Sequence, residues 1–290
     1  MRPEVLLATC SELPSSNEDD SPLPAALAEL GVRASWVAWD DPAVDFGRAD
    51  LVVLRSTWDY PNRRAEFLRW CESVPALANP AGVVRWNTDK SYLVELADLG
   101  VGVVRTHLVE PGGEVEWPAG EFVVKPSVGA GSRDAARFDS TTPADAEAHL
   151  KWLHSRDRTA VVQPYQRAVD REGETALVFL CGVYSHGFVK GPMLRSSTDE
   201  SGLFVSEGLS PSHPAAELRR AAEDVLDTTC KLLDLSRSEL LYARVDLVRG
   251  EGGEPLLLEL ELSEPSLGFR QTGPDARLRF ASAVRAHLNR

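Results

Sequence analysis

The stretch LLYARVDLVRGEGGEPLLLELELS (240–263) constrains this chain more than any other. Two apolar runs flank a Gly/Glu turn signal, the pattern of a β-hairpin. Alternate side chains of a strand share a face. Leu256, Leu258, Leu260 and Leu262 are therefore expected on one face, with Leu257, Glu259, Glu261 and Ser263 on the other. If Arg249 pairs with Glu254 across a GEGG loop, Arg244 stands opposite Glu259 and Asp246 opposite Leu257. Any even slip keeps Arg244, Asp246, Glu259 and Glu261 together, because the side-chain period is two. Four charged groups on one face of an apolar hairpin are costly if buried without partners. A divalent cation supplies the missing positive charge. Ligation by carboxylates suits magnesium, which keeps waters and also takes phosphate oxygens. The competing reading is a solvated acidic face, common in antiparallel sheets. Under the metal reading, Glu259→Gln should keep the fold, since it removes repulsion and preserves shape.

The rest of the chain narrows the choice. With 290 residues, 43% of them hydrophobic, it can bury the core of one large domain or of two to three small ones. A formal net charge of −13 argues against nucleic acid or an anionic membrane as partner, but not against a small anion held by local lysines. Cys10, Cys71, Cys181 and Cys230 are scattered, with no C-x-x-C and no His/Cys cluster of zinc-like spacing. They read as small buried hydrophobes in a reducing cytosol. MRPEVLLATC is too short for a signal-peptide core and runs into acidic SSNEDD. No apolar run is long enough to span a bilayer. A cytoplasmic protein is expected.

Strands alternate with helices over the first third. EVLLATC, ASWVAWD and ADLVVLRSTW read as strands, LPAALAELG and NRRAEFLRWCESV as helices, which suggests an α/β layer. SYLVELADLG reads as a helix capped by Thr88 or Asp89 and ended by Gly100. VGVVRTHLV, EFVVKPSV and TAVVQPYQ read as strands, and TPADAEAHLKWLHSR as a helix. ETALVFLCG and VYSHGFVKG form a hairpin pair around Gly182. Two further helices are expected, in HPAAELRRAAEDVLDTTCKLLDL and ARLRFASAVRAHL.

Several groups suit a nucleotide. In FVVKPSVGAGSRD, Lys125 is a point charge at a strand end, and the amides around Gly129, Ala130 and Gly131, with the Ser132 hydroxyl, can surround phosphate oxygens. No core residue is expected to anchor this loop, so it should be mobile. Neither a Walker A motif nor G-x-G-x-x-G occurs. Lys90 lies near a helix N-terminus, a good place for an anion. Lys190 alternates with Phe188 in YSHGFVKGP. Pro164 bends the strand VVQPYQ and removes a ladder donor, leaving backbone groups that can meet an adenine edge. Glu174 follows and can accept a ribose hydroxyl.

In this order the motifs VVKP with its glycine loop, VVQPY, EGETALVF, VKG, ARVD and LLELELSEPS resemble the ATP-grasp superfamily over roughly residues 80 to 270. Its glutathione-synthetase-like and D-alanine–D-alanine-ligase-like members are the most similar. RSTWDY, RWNTDK, KPSVGAGSRDAARF and LELELSEPSL look most like the group containing the cycloserine-forming cyclo-ligase.

The resemblance implies an α/β protein with an ATP-grasp fold. Its parts would be an N-terminal α/β pre-domain (1–88), a small central α+β lid domain (89–163) and a C-terminal antiparallel-sheet domain (164–290). It implies ATP and Mg2+, with Lys90 and Lys125 on the nucleotide and Gly129, Ala130, Gly131 and Ser132 as the lid. Gln163, Pro164, Tyr165 and Gln166 would hold adenine and Glu174 the ribose, though the spacing leaves Asp170 or Glu172 open for that role. Lys190 and Arg244 would be catalytic, and Asp246, Glu259 and Glu261 metal ligands. The family usually has asparagine where this chain has Glu261.

Such ligases phosphorylate a carboxylate and let an amine attack it, mainly by positioning and charge neutralisation. No nucleophilic side chain is required. The six histidines show no paired spacing. Arg55, at a strand end, is expected to clamp a substrate carboxylate, with Ser56, Trp58 and Asp59 on the same rim. Asp19 and Asp20 can meet an amine, and Glu264 and Ser266 follow the metal strand. The implied partner is a small, amino-acid-like substrate, with a homodimer left open. A non-catalytic nucleotide-binding module is the other class, and it has no evident use for Arg244.

Overall fold

A computed structural model describes residues 2–192, 203 and 208–289, which build three sheets. The first holds β1 (Glu4–Thr9), β2 (Arg33–Ala38), β3 (Leu51–Ser56) and β4 (Leu77–Ala78), all parallel, in the order β2-β1-β3-β4. Every residue of β3 is buried, as expected of a parallel strand covered on both faces. Helices α1 (Leu23–Glu29) and α2 (Arg64–Ser73) belong to this layer. Two short helices follow, α3 (Ala81–Asn87) and α4 (Tyr92–Asp98).

The second sheet is antiparallel. β5 (His107–Val109), β6 (Phe122–Pro126), β7 (Ala136–Phe138) and β8 (Ala160–Pro164) run in the order β5-β8-β6-β7. Helix α5 (Pro143–His154) lays Ala146, Leu150 and Leu153 on its inner face, against Phe122, Val124 and Val162.

After α6 (Val169–Glu172) comes the third sheet, built from β9 (Glu174–Leu180), β10 (Val183–Lys190), β11 (Leu209–Ser212), β12 (Tyr242–Arg249) and β13 (Pro255–Glu261). Its order is β11-β10-β9-β12-β13, antiparallel throughout. α7 (Ala216–Leu232) covers one face through Leu218, Ala222, Val225 and Leu226. α8 (Phe269–Thr272) and α9 (Pro274–His287) close the fold. Phe280 and Val284 of α9 join Val5, Leu7 and Leu27 of the first layer and Val178 and Leu180 of β9 in one core. The first and third sheets are thus welded by shared apolar burial. Among the described residues, no helix is long and apolar enough to cross a membrane.

Several expectations change. Of VGVVRTHLV only His107–Val109 is strand, apart from a lone bridge between Val103 and Leu257. Residues 81–87 are helical, and LSPS forms β11, an edge strand where Pro211 is tolerated. Ser91 is the N-cap of α4 and its side chain makes no capping bond; Asp89 instead accepts the Ser91 N–H at 3.0 Å.

The hairpin register also differs. Arg249 pairs with Pro255, not Glu254, which leaves a five-residue loop. That odd offset, continued, would split the four charged residues between two faces. A bulge at Leu258 absorbs one residue and restores parity, so that Arg244 pairs with Glu261 and Asp246 with Glu259. Strict alternation fails there. Leu257 joins Leu260 and Leu262 in the core under α7, while Leu256 and Leu258 pack toward Val104 and Tyr165.

Candidate functional site

A cavity of about 490 Å³ lies where the three sheets meet. Its charged wall comes from β10, β12 and β13, whose alternation aims Lys190, Arg244, Glu259 and Glu261 the same way. β13 is an edge strand, yet its outer edge is satisfied. Leu257 N–H bonds Gly102 O at 2.7 Å, and Tyr92 Oη accepts the Leu260 N–H at 3.0 Å. Asn87 donates to Leu260 O at 2.8 Å and accepts the Leu262 N–H at 2.7 Å. Asn87 thereby clamps the backbone on either side of Glu261. Sequence reading missed it, because the only signal was an asparagine 173 positions away from its partner.

The charges neutralise one another. Lys190 contacts Asp246 at 2.7 Å and Glu174 at 2.8 Å. Arg244 contacts Asp246 at 2.9 Å and also pairs with Glu261. Lys90 contacts Glu259 at 2.8 Å and donates to Gly129 O at 3.0 Å. Lys125 lines the cavity without an ion-pair partner among the described residues. Burial lowers its pKa and the neighbouring Lys90 adds to this, with Glu259 opposing. An anion there would relieve both effects.

Burial alone would raise the Glu259 carboxyl, but Lys90, Lys125 and Lys190 outweigh it and hold the group well below the usual carboxylate range. Asp246 is likewise held low, with Arg244 and Lys190 outweighing burial. Glu261 goes the other way. Burial pushes it up to about 7, opposed by Arg244 and reinforced by Glu259 and Asp246. Oxygens of Asp246, Glu259 and Glu261 lie within 4.8 Å of one another. This donor set fits magnesium: it is all carboxylate, and added positive charge would offset the burial and acidic neighbours that push Glu261 up. Asp246 is 0% exposed and does not line the cavity, because Lys190 and Arg244 cover it.

Gly129, Ala130, Gly131 and Ser132 line the cavity together with Gln163, Pro164, Tyr165 and Gln166. The glycine loop is anchored, contrary to expectation. Ala130 is buried in the cluster that contains Trp58, and Arg133 donates to Trp58 O at 2.9 Å. Gln163 donates its amide N–H to Thr106 Oγ1 at 2.9 Å. Of the three acids considered for a ribose, Glu174 lines the cavity. Asp170 is engaged by Tyr165 and Arg137, and Glu172 faces Arg171.

For the residues expected to meet a substrate the outcome is divided. Asp19, Trp58, Glu264 and Ser266 line the cavity; Arg55, Ser56 and Asp59 do not. Arg55 is 0% exposed and does hold a carboxylate through two nitrogens, but that carboxylate is Asp20 of the same chain, at 3.0 Å from each. Ser56 bonds Ser16 and Asn17, and Asp59 binds Arg63 and Trp39. A strand-end position put these three near the rim, but burial turned them inward. Glu264 is buried, and its carboxyl is pushed up to about 8 by burial and the nearby Glu261. Tyr60, Arg270 and Gln271 also line the cavity and carried no sequence signal.

A family model described as D-cycloserine synthetase DcsG, N-terminal domain, matches residues 5–80. The cycloserine biosynthesis protein DcsG of Streptomyces lavendulae is 38% identical over 289 residues, covering 93% of this chain and 94% of that one. The crystal structure of D-cycloserine synthetase DcsG is similar with a TM-score of 0.87 at 36% identity, over 98% of this chain and 99% of the other. D-alanine–D-alanine ligase from Bacillus anthracis complexed with ATP shares the fold, with a TM-score of 0.66 at 13% identity over 99% of this chain and 97% of that one.

Proposed function

The chain belongs to the D-cycloserine synthetase (DcsG) family of ATP-grasp ligases, and on that premise we propose that it closes cycloserine, or a near ring analogue, by ligation within one molecule. It is an ADP-forming carbon–nitrogen ligase of specialised metabolism. A substrate carboxylate oxygen takes the terminal phosphoryl group of ATP, and ADP leaves. A nitrogen of the same substrate then attacks the acyl carbon, phosphate departs and the nitrogen loses a proton.

Lys90 and Lys125 hold the nucleotide phosphates beneath the loop Gly129–Ser132. The backbone of 163–166 receives adenine, and Glu174 the ribose. Lys190 and Arg244 exchange their internal carboxylate contacts for oxygens of the transferring group, which concentrates positive charge where negative charge develops. Asp246, Glu259 and Glu261 would hold magnesium, which supplies charge neutralisation between phosphate oxygens. Trp58, Glu264 and Ser266 border the substrate.

The observation that carries this reading is Lys125, without an ion-pair partner among the described residues, lining one cavity with Glu259 and Glu261, in a chain 38% identical to a cycloserine synthesis protein over nearly its whole length. The test is magnesium-dependent release of ADP and phosphate, with product mass. Loss of water from a single substrate supports ring closure. A product joining two substrates would replace it with intermolecular ligation, and AMP with pyrophosphate would sink the acyl-phosphate route.

A further inference from the structure

Asp19 and Asp20 are neighbours, both buried, and their partners differ. Asp20 is matched by Arg55 at 2.9 Å. Asp19 is 9% exposed, lines the cavity and has no ion-pair partner among the described residues. One of its oxygens accepts the Arg270 N–H at 2.7 Å, and the other accepts no hydrogen bond from the described residues. The next residue along, Gln271, also lines the cavity, and its side-chain oxygen is likewise buried without a donor. A carboxylate removed from water without a cation is costly, and so is an unmatched amide oxygen.

The chain nevertheless holds Asp19 firmly. Asn17 Oδ1 accepts the N–H of Asp19 at 2.8 Å and of Asp20 at 3.1 Å, and the Asp20–Arg55 pair fixes the following residue. The Arg270 side chain, which might have neutralised Asp19, pairs with Glu18 instead. An acceptor pre-set in this way, with its natural cation diverted, suits a cation that arrives with the ligand.

We propose that Asp19 and Gln271 form the seat for the free ammonium group of the substrate. This rests on the ligase reading above and deepens it. The same cavity is lined by Lys90, Lys125, Lys190 and Arg244, which favour an anion. The cavity therefore reads a zwitterion, with the carboxylate toward the lysines and the ammonium at Asp19. An N-acylated amino acid lacks the cation and is refused.

The test uses the full chain with Mg-ADP, and D-cycloserine, which carries a primary amine, against its N-acetyl form. Wild type should bind D-cycloserine about tenfold or more tighter than the N-acetyl compound, the scale of one charge-assisted hydrogen bond. Asp19→Asn should erase that preference while leaving the Mg-ADP Kd unchanged, and Gln271→Met should reduce it. ADP release over free amino acids and their N-acetyl forms gives the same comparison independently of cycloserine. Retained discrimination in Asp19→Asn, or turnover of an N-acetylated member at the rate of its free form, overturns the seat alone. Normal Mg-ADP binding with no response of wild type to any free amino acid or to cycloserine overturns the amino-acid reading beneath it.

Discussion

Two groups of buried acceptors around the cavity handle charge in opposite ways. Glu174, Asp246, Glu259 and Glu261 each have a cationic partner inside the protein. Asp19 and Gln271 keep oxygens without donors among the described residues. In the first arrangement the internal pairs are already made, so a ligand there must exchange them for its own. The second is left costly, so a ligand there gains whatever the protein lacks. Stability and function are separable at Asp19 and entangled at Glu259.

The sharpest way to break this contrast lies in the neighbouring aspartates. Asp20→Asn leaves the fully buried Arg55 charge without its partner and should cost about 3–5 kcal/mol. Asp19→Asn removes an unpaired buried charge, so the unliganded protein should melt at the same temperature or a few degrees higher. Thermal unfolding of both decides the matter; equal losses would mean that the two residues are not in different electrostatic states.

The next largest effect is expected at the carboxylate pair on β13. Glu259→Gln should lower turnover on the order of 100-fold. The sequence suggested that it would also relieve repulsion, and the structure reverses that sign. Glu259 is set among Lys90, Lys125 and Lys190, so its neutral form should melt lower than wild type without ligand. Glu261→Gln should melt equal to wild type or higher, since Arg244 keeps Asp246, yet lose magnesium-dependent stabilisation by nucleotide. Identical unliganded melting in the two variants would erase the asymmetry between them.

A smaller effect should follow from loosening the strand. Asn87→Ala frees Leu260 O and Leu262 N–H and should cost about 1–3 kcal/mol. It should lower kcat roughly tenfold through Glu261 while the affinity for free amino acid changes little. A change in amine affinity as large as that in kcat would show that the clamp serves both groups.

The smallest effect is a pH dependence at His186, behind the loop that contains Leu267. His186 is buried, bonded to Leu267 O at 2.7 Å and to Ser185 Oγ at 2.8 Å. Burial lowers its pKa, opposed by the bond to Leu267 and the charge of Asp19, with Arg279 adding to the lowering. A depressed folded pKa means that the unfolded chain binds the proton first. The stabilisation is complete above the ordinary value of 6.5 and is lost as pH falls below it. Melting curves below pH 6.5 should fall less steeply in His186→Asn than in wild type; parallel curves would remove His186 from this role.

The sequence determined the local parts. The alternation in 240–263 placed four charges on one hairpin, and Lys90, Lys125 and Lys190 drew attention through a helix start, a strand end and alternation with Phe188. Those features depend on backbone periods of a few residues, which a string of letters contains. Only the tertiary structure decided the rest. The bulge at Leu258 rescued a register that the loop length alone would have put out of phase. Arg55 took Asp20 rather than a substrate, and Ala130 packed beside Trp58 rather than swinging free. Asn87 and Arg270 entered the site through contacts across 173 to 252 positions of chain. Such pairings carry no period in the sequence. They follow from how apolar faces pack the sheets together, and that packing determines which buried charge meets a partner and which is left for the ligand.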